Sequence, residues 1–431
     1  MSTSPPYPPY PHHPAPPPPR PRWWRRPVVR YTALITLLAV SGVVILALVR
    51  EQTGTRGLLV GLGLAIFPVP LLLTAFRWLD RSDPAPWRNM LFAFAWGACA
   101  ATLIAIVANT FTTQWIANTT ADPDGADTLG ATLIAPIVEE SAKAAAVLLV
   151  FLFRRRQFTG LVDGVVIAGT TAAGFAFTEN ILYLGSAYGD DQLSGDGGIA
   201  SVTAATFFVR VIMSPFAHPL FTVFTGIAFG LAARTPDRKR ARRVLLPLGG
   251  LLLAMGMHSL WNGSGHFGPL GFFVVYGVFM VPVFGLLIWL VVWTRQRELR
   301  QLREELPAYV AAGWLSPYEP FALSSMRARR IARDYAVHYL GKPAAKTLAE
   351  YESTATALAQ LRRQGRLGNV PADFVTREQH LLTTLWTHRA TTRPALDHGA
   401  RATTPPAPAP YTWHPPFPPA YAYPPYGGYR A

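Results

Sequence analysis

The sequence predicts an all-α, polytopic membrane protein with about eight transmembrane helices, both termini in the cytoplasm, a small cytosolic helical appendage and disordered Pro-rich tails. Three observations carry that prediction. Eight apolar runs fall at 31–49, 57–76, 90–112, 128–153, 160–184, 203–233, 244–265 and 270–293, each near the ~20 residues a helix needs to cross hydrocarbon. Only 15% of the residues are charged, against about 25% in soluble domains. The Lys and Arg residues gather in alternate loops, as the positive-inside rule requires. Continuous apolar runs, rather than alternation, select helices over a closed barrel.

Taken in chain order, residues 1–28 form a Pro-rich tail interleaved with Tyr and His, a composition that favours polyproline II or disorder and cannot bury a core. RPRWWRRP at 20–27 joins aromatic rings to positive charge, the pattern of an interfacial anchor. The spanning domain is read over 29–294. Arg77, Arg81 and Arg88 lie between spans two and three, Arg154, Arg155 and Arg156 follow span four, and Arg234, Arg238, Lys239, Arg240, Arg242 and Arg243 follow span six. The intervening loops hold Arg50 and Arg56, then no Lys or Arg in 113–127, 185–202 or 266–269, which puts Asp190, Asp191 and Asp196 outside and both termini inside. Span six contains Pro215 and Pro219, which predicts a break there. Residues 295–390 are mixed polar and apolar at helical spacing and read as the appendage; 391–431 form a second disordered, Pro/Tyr-rich tail.

Composition also excludes some classes. The net charge of +15 is almost wholly Arg and sits in short inter-span loops, so it reports topology and not a nucleic-acid partner. Cys99 is the only cysteine, which rules out an intrachain disulfide and a thiolate metal site. The first apolar run follows a long Pro-rich stretch without a small-residue cleavage site, so no cleavable signal peptide is expected. Arg-over-Lys usage with abundant Ala and Pro is the composition of GC-rich bacterial coding, and a bacterial plasma membrane is the expected location.

The fourth run, TLGATLIAPIVEESAKAAAVLLVFLF, carries Glu139, Glu140 and Lys143 near its middle. Each such charge costs about 2.5–3.5 kcal/mol at the bilayer centre on insertion scales, and intramembrane ionisable clusters mark functional sites. Glu139 and Lys143 are four apart and Glu140 and Lys143 three apart, so all share one broad helix face. Lys143 neutralises one carboxylate; the other is left uncompensated, the state a general acid or base draws on. Span five ends with GFAFTENILYL, bringing Glu179 and Asn180. Span six carries Arg210, Ser214 and His218 at four-residue steps, one stripe if Pro215 does not break the helix. Arg210 serves either as a counterion for Glu179 or the surplus Glu, or as a substrate-binding group. Span seven carries His258 and Asn262 one turn apart. Depths counted at about 1.5 Å per residue bring these residues together between mid-membrane and the outer face, in a water-filled cleft open to the outside.

Two chemistries fit. His218, His258 and Glu139 make a His₂Glu set that suits zinc with an open position, the second Glu acting as base. A metal-free version has Glu140 activate water, a His orient it, and His258 with Asn262 donate to the oxyanion. Both hydrolyse a peptide bond in or beside the bilayer. A proton-coupled transporter and a catalytically silent scaffold or sensor are the competing readings. Glu, His and Arg also build proton relays, but no pair of corresponding broken segments marks two transporter halves.

E-E-S-A-K at 139–143, F-A-F-T-E-N at 175–180, H-P-L-F at 218–221 and H-S-L-W-N at 258–262 resemble the ordered motifs of the PrsW family, intramembrane metalloproteases related to the CAAX prenyl endopeptidase and Abi group. The resemblance covers roughly 30–293, and Lys143, where the wider group has Arg, points to the PrsW branch. It implies a hydrolase that cuts a single-pass membrane protein, an anti-sigma factor at its first cleavage site, with the lipid bilayer as its other partner. Carried over, Glu139 and Glu140 are catalytic or ligand residues, His218 and His258 ligands or water-orienting groups, and Glu179, Asn180 and Asn262 supporting residues, with zinc as the implied cofactor.

Overall fold

The structure, a computed structural model, describes residues 27–80, 86–154, 158, 160–195, 197–235, 239–368, 370 and 373–403. Residues 1–26 and 404–431, most of the expected interfacial anchor, and Arg81, Arg155, Arg156, Asp196 and Arg238 lie outside the described residues. Every described element is helical and no strand occurs among the described residues. The chain divides into two compact units, Met1–Arg297 and Glu298–Ala431.

The first unit is an all-α membrane protein. Five stretches of the described helices are long and apolar enough to cross a bilayer: Val28–Leu79, Trp87–Thr120, Leu161–Ser194, Val202–Ala233 and Arg240–Ala311. The first and last of these each contain two of the spans expected from the sequence. Helix α1 (Pro27–Ala65) is interrupted at Gly54, whose φ of 69° is non-helical and comes without steric cost only to glycine. A turn at Ile66–Phe67 then leads into α2 (Pro68–Leu79), which starts on a proline. The expected second span is therefore two helical pieces. In the last stretch α7 (Arg240–Gly263) gives way to a 3₁₀ turn at Ser264–Phe267, and Gly268 has φ 69°. The helix bearing Glu139, Glu140 and Lys143, α4 (Ala135–Phe153), is not among the five; those three charges set it apart from its apolar neighbours.

The long helix α5 (Leu161–Ser194) is the inner post, buried at every residue from Gly160 to Ala176. It continues to Ser194, where the sequence predicted an end at 184. Asp190 and Asp191 thus sit on its last turns rather than in a loop. Asp191 accepts from the backbone N–H groups of Val202 and Thr203 at 2.7 and 3.0 Å, tying the next segment down. Close approach along α5 depends on glycine. A Cβ at Gly164 would lie 1.9 Å from the Gly226 carbonyl oxygen of α6 (Ala217–Ala233), and one on Gly97 would lie 1.9 Å from the Thr171 carbonyl oxygen. Small residues at such seams let membrane helices pack backbone to backbone. Large apolar side chains, among them Val43, Leu71, Leu91 and Phe111, face outward, the surface hydrocarbon would cover.

Pro215 does break the sixth run: a π turn at Phe208–Met213 ends at Ser214, and α6 begins at Ala217. Arg210, Ser214 and His218 therefore do not form one helical stripe. The second unit buries a core of Leu306, Leu323, Leu348, Tyr351, Leu358 and Leu396. Its last helix runs from Phe374 to Arg401, past the boundary of 390 read from the sequence. Ala395, Leu396 and Ala400 recur at helical spacing and are fully buried, so 391–403 belong to the fold and not to a tail.

Candidate functional site

Glu139, Glu140 and Lys143 face inward from α4 and are all buried. Trp96 holds that helix by donating from its indole N–H to the Ala142 carbonyl at 3.0 Å. The Lys143 ammonium lies 2.9 Å from Glu140 Oε1 and 3.3 Å from Glu139 Oε2. It also stands 3.2 Å from His218 Nδ1 and 3.9 Å from the centre of the Phe175 ring. An ammonium can only donate, so His218 Nδ1 accepts. The proton of His218 is then on Nε2, which donates to Glu179 Oε2 at 2.7 Å. The same Glu179 oxygen is paired with Arg210, whose Nε donates to Asn180 Oδ1 at 2.8 Å and whose plane covers the Tyr183 ring at 3.9 Å. Of the two roles open to Arg210, the geometry displays the counterion.

Glu140 is fully buried and engaged at both oxygens. Its Oε1 takes Lys143 and, at 3.1 Å, His258 Nδ1, while Oε2 takes the Thr222 hydroxyl at 2.8 Å. A carboxylate accepts, so His258 donates from Nδ1; a neutral ring then carries its lone pair on Nε2, 3.9 Å from Glu139 Oε2. The His258 ring is stacked on Phe221, centres 4.9 Å apart. Glu139 differs from its neighbour: no donor among the described residues reaches its Oε1, and the residue keeps 6% of its surface.

One potential ligand atom each from Glu139, His218 and His258 lies within 4.8 Å of the others. The donor set suits a zinc ion on two counts. It is the His₂-carboxylate combination zinc takes in hydrolases. Each imidazole also has its remote nitrogen on a carboxylate, Glu179 for His218 and Glu140 for His258, the arrangement that orients metal-binding histidines.

The structure thus gathers Glu139, Glu140, Lys143, Glu179, His218 and His258. Asn180 joins them through Arg210. Asn262 does not: its amide donates to the Ala131 carbonyl at 2.9 Å, and it lines a cavity of about 270 Å³. That cavity is walled by Val69, Leu72, Phe177, Ser214, Trp261 and Asn262 among others, and of the two imidazoles only His218 borders it. Three contributors carry no role in the sequence reading, although Phe175 opens one of its motifs and Phe221 closes another. Thr222 lies one turn beyond His218, Phe175 one turn before Glu179, and Phe221 next to Thr222. Helical spacing from the motif residues is the one signal that could have found them.

Residues 85–287 match the profile of the family described as PrsW family intramembrane metalloprotease. No curated protein and no solved structure matches the chain. The matched stretch spans every group of the cluster, from Glu139 to Asn262, and is similar there to a family of intramembrane metalloproteases.

Proposed function

We propose that the chain hydrolyses a peptide bond of a single-pass membrane protein at the Glu139–His218–His258 cluster. The observation that carries the reading is the convergence of these three side chains within 4.8 Å, each imidazole seated on its own carboxylate. Glu139 is the water-activating group: it has the unengaged oxygen and the residual exposure, and it retains the proton for the departing amine. Glu140, with three donors on it, holds Lys143, His258 and Thr222 in place. In this assignment Glu139 keeps the ligand place expected from the sequence and takes over the base role expected of Glu140. Zinc held by Glu139, His218 and His258 supplies Lewis acidity toward water and the peptide carbonyl. The free Nε2 lone pair of His258 supports the metal-bearing version over one in which His258 donates to an oxyanion. Asn262 and Asn180, on the cavity wall, position the substrate backbone.

The resemblance supports an anti-sigma factor as substrate, cut near the outer face. The loop charges support a bacterial plasma-membrane protein with eight spans and both termini in the cytoplasm. Co-expression with a tagged single-pass substrate tests the core of the reading. Glu139→Gln and His258→Ala each abolish the truncated product, and unchanged processing in both removes the assignment.

A further inference from the structure

Every N–H of the Lys143 ammonium is spent on the cluster: Glu140 Oε1 at 2.9 Å, His218 Nδ1 at 3.2 Å and Glu139 Oε2 at 3.3 Å. Two of those three atoms belong to the residues that would hold a divalent cation. The imidazole nitrogen has a single lone pair, which cannot serve an N–H donor and a metal together. We infer that Lys143 is a built-in competitor for the divalent cation, occupying its ligand atoms and so setting the affinity of the site; this rests on the metal-bearing reading proposed above. A retreat is available. Glu140 is its nearest partner, and the Phe175 ring stands 3.9 Å away as a cation-accepting surface. Lys143 can release His218 and Glu139 without leaving the cluster, giving two arrangements of the same side chains: one latched by the ammonium and one open to a cation.

The competitor role predicts the opposite sign from a supporting role. Cobalt(II) titration of the purified full chain in detergent, read by visible absorption, compares wild type with Lys143→Met. Competition predicts that the Met variant binds cobalt at least about tenfold more tightly, because a unit positive charge beside the cation is gone. A group that merely braces the ligands predicts a loss of about 10–100-fold. Equal or weaker binding by the variant overturns the inference and leaves the hydrolase reading standing if wild-type processing needs metal. Cobalt bound by neither protein overturns both. Should Lys143→Met fail to fold, the zinc-loaded wild-type structure decides. Lys143 Nζ beyond hydrogen-bond range of His218 Nδ1 upholds the inference, and a contact kept at 3.2 Å overturns it.

Discussion

Adjacent glutamates with unequal surroundings should fail in unequal ways. Glu140 has no exposed surface and accepts from Lys143, His258 and Thr222. Glu140→Gln removes one partner of a buried ion pair, a change that costs about 3 kcal/mol or more. Glu139 has one ammonium contact at 3.3 Å and keeps 6% of its surface. Glu139→Gln is worth about 1 kcal/mol in stability, yet as loss of the general base it removes about 10²–10⁴ in rate. The assay pairs thermal unfolding in detergent with cleavage of a co-expressed reporter. The Glu139→Gln variant melts close to wild type and does not cut; the Glu140→Gln variant melts clearly lower. Wild-type cutting by Glu139→Gln, or wild-type melting of Glu140→Gln with cutting alone abolished, refutes the assignment.

Arg210→Met leaves Glu179 without its guanidinium and loosens the carboxylate on which His218 is oriented, so zinc affinity, read by competition with a chelating dye, falls about 10–100-fold; unchanged affinity disproves the relay. Gly164→Ala places a methyl 1.9 Å from the Gly226 carbonyl oxygen, and the forced separation of α5 from α6 costs about 1–3 kcal/mol, seen as a lower melting temperature. In the second unit, burial pushes the Glu319 carboxyl above its ordinary range, although it accepts from the Ser316 N–H at 2.7 Å. A raised folded value means stability that is complete below the unfolded value and lost as pH climbs through the folded one. Melting of the full chain therefore falls across that window, and Glu319→Gln flattens the fall; an identical pH profile for the variant contradicts it.

The site was legible where charge and hydrocarbon conflict. Glu139, Glu140 and Lys143 cannot be ordinary surface in a run such as LIAPIVEESAKAAAVLLV, and helical spacing put them on one face before any coordinates. His218, His258 and Glu179 were legible for the same reason. Thr222, Phe175 and Phe221 were not, because a threonine or phenylalanine in an apolar helix carries no conflict and could face anything. Breaks were legible at Pro215, where the missing N–H acts locally, and less so at Ile66–Phe67. The end of α5 was misplaced because Asp190 and Asp191 resemble loop acids; only the bond from Asp191 to a segment eleven residues on shows why a helix carries them. The appendage boundary failed similarly, since the Pro/Tyr-rich character of the tail was carried back to 391 while Leu396 and Ala400 pack beyond it.

The cavity is bordered by Pro68 and Val69, by Ser214 and Pro215, and by Ser264 and Gly265, so each place where the chain breaks stride at Ile66–Phe67, Ser214–Phe216 and Ser264–Phe267 meets it. The acids and His258 sit inside helices, whereas His218 stands two residues past the break at Ser214–Phe216. Of the three clustered side chains, His218 alone shares a wall with these breaks, so an alteration of the backbone there reaches Glu139 and His258 only through it.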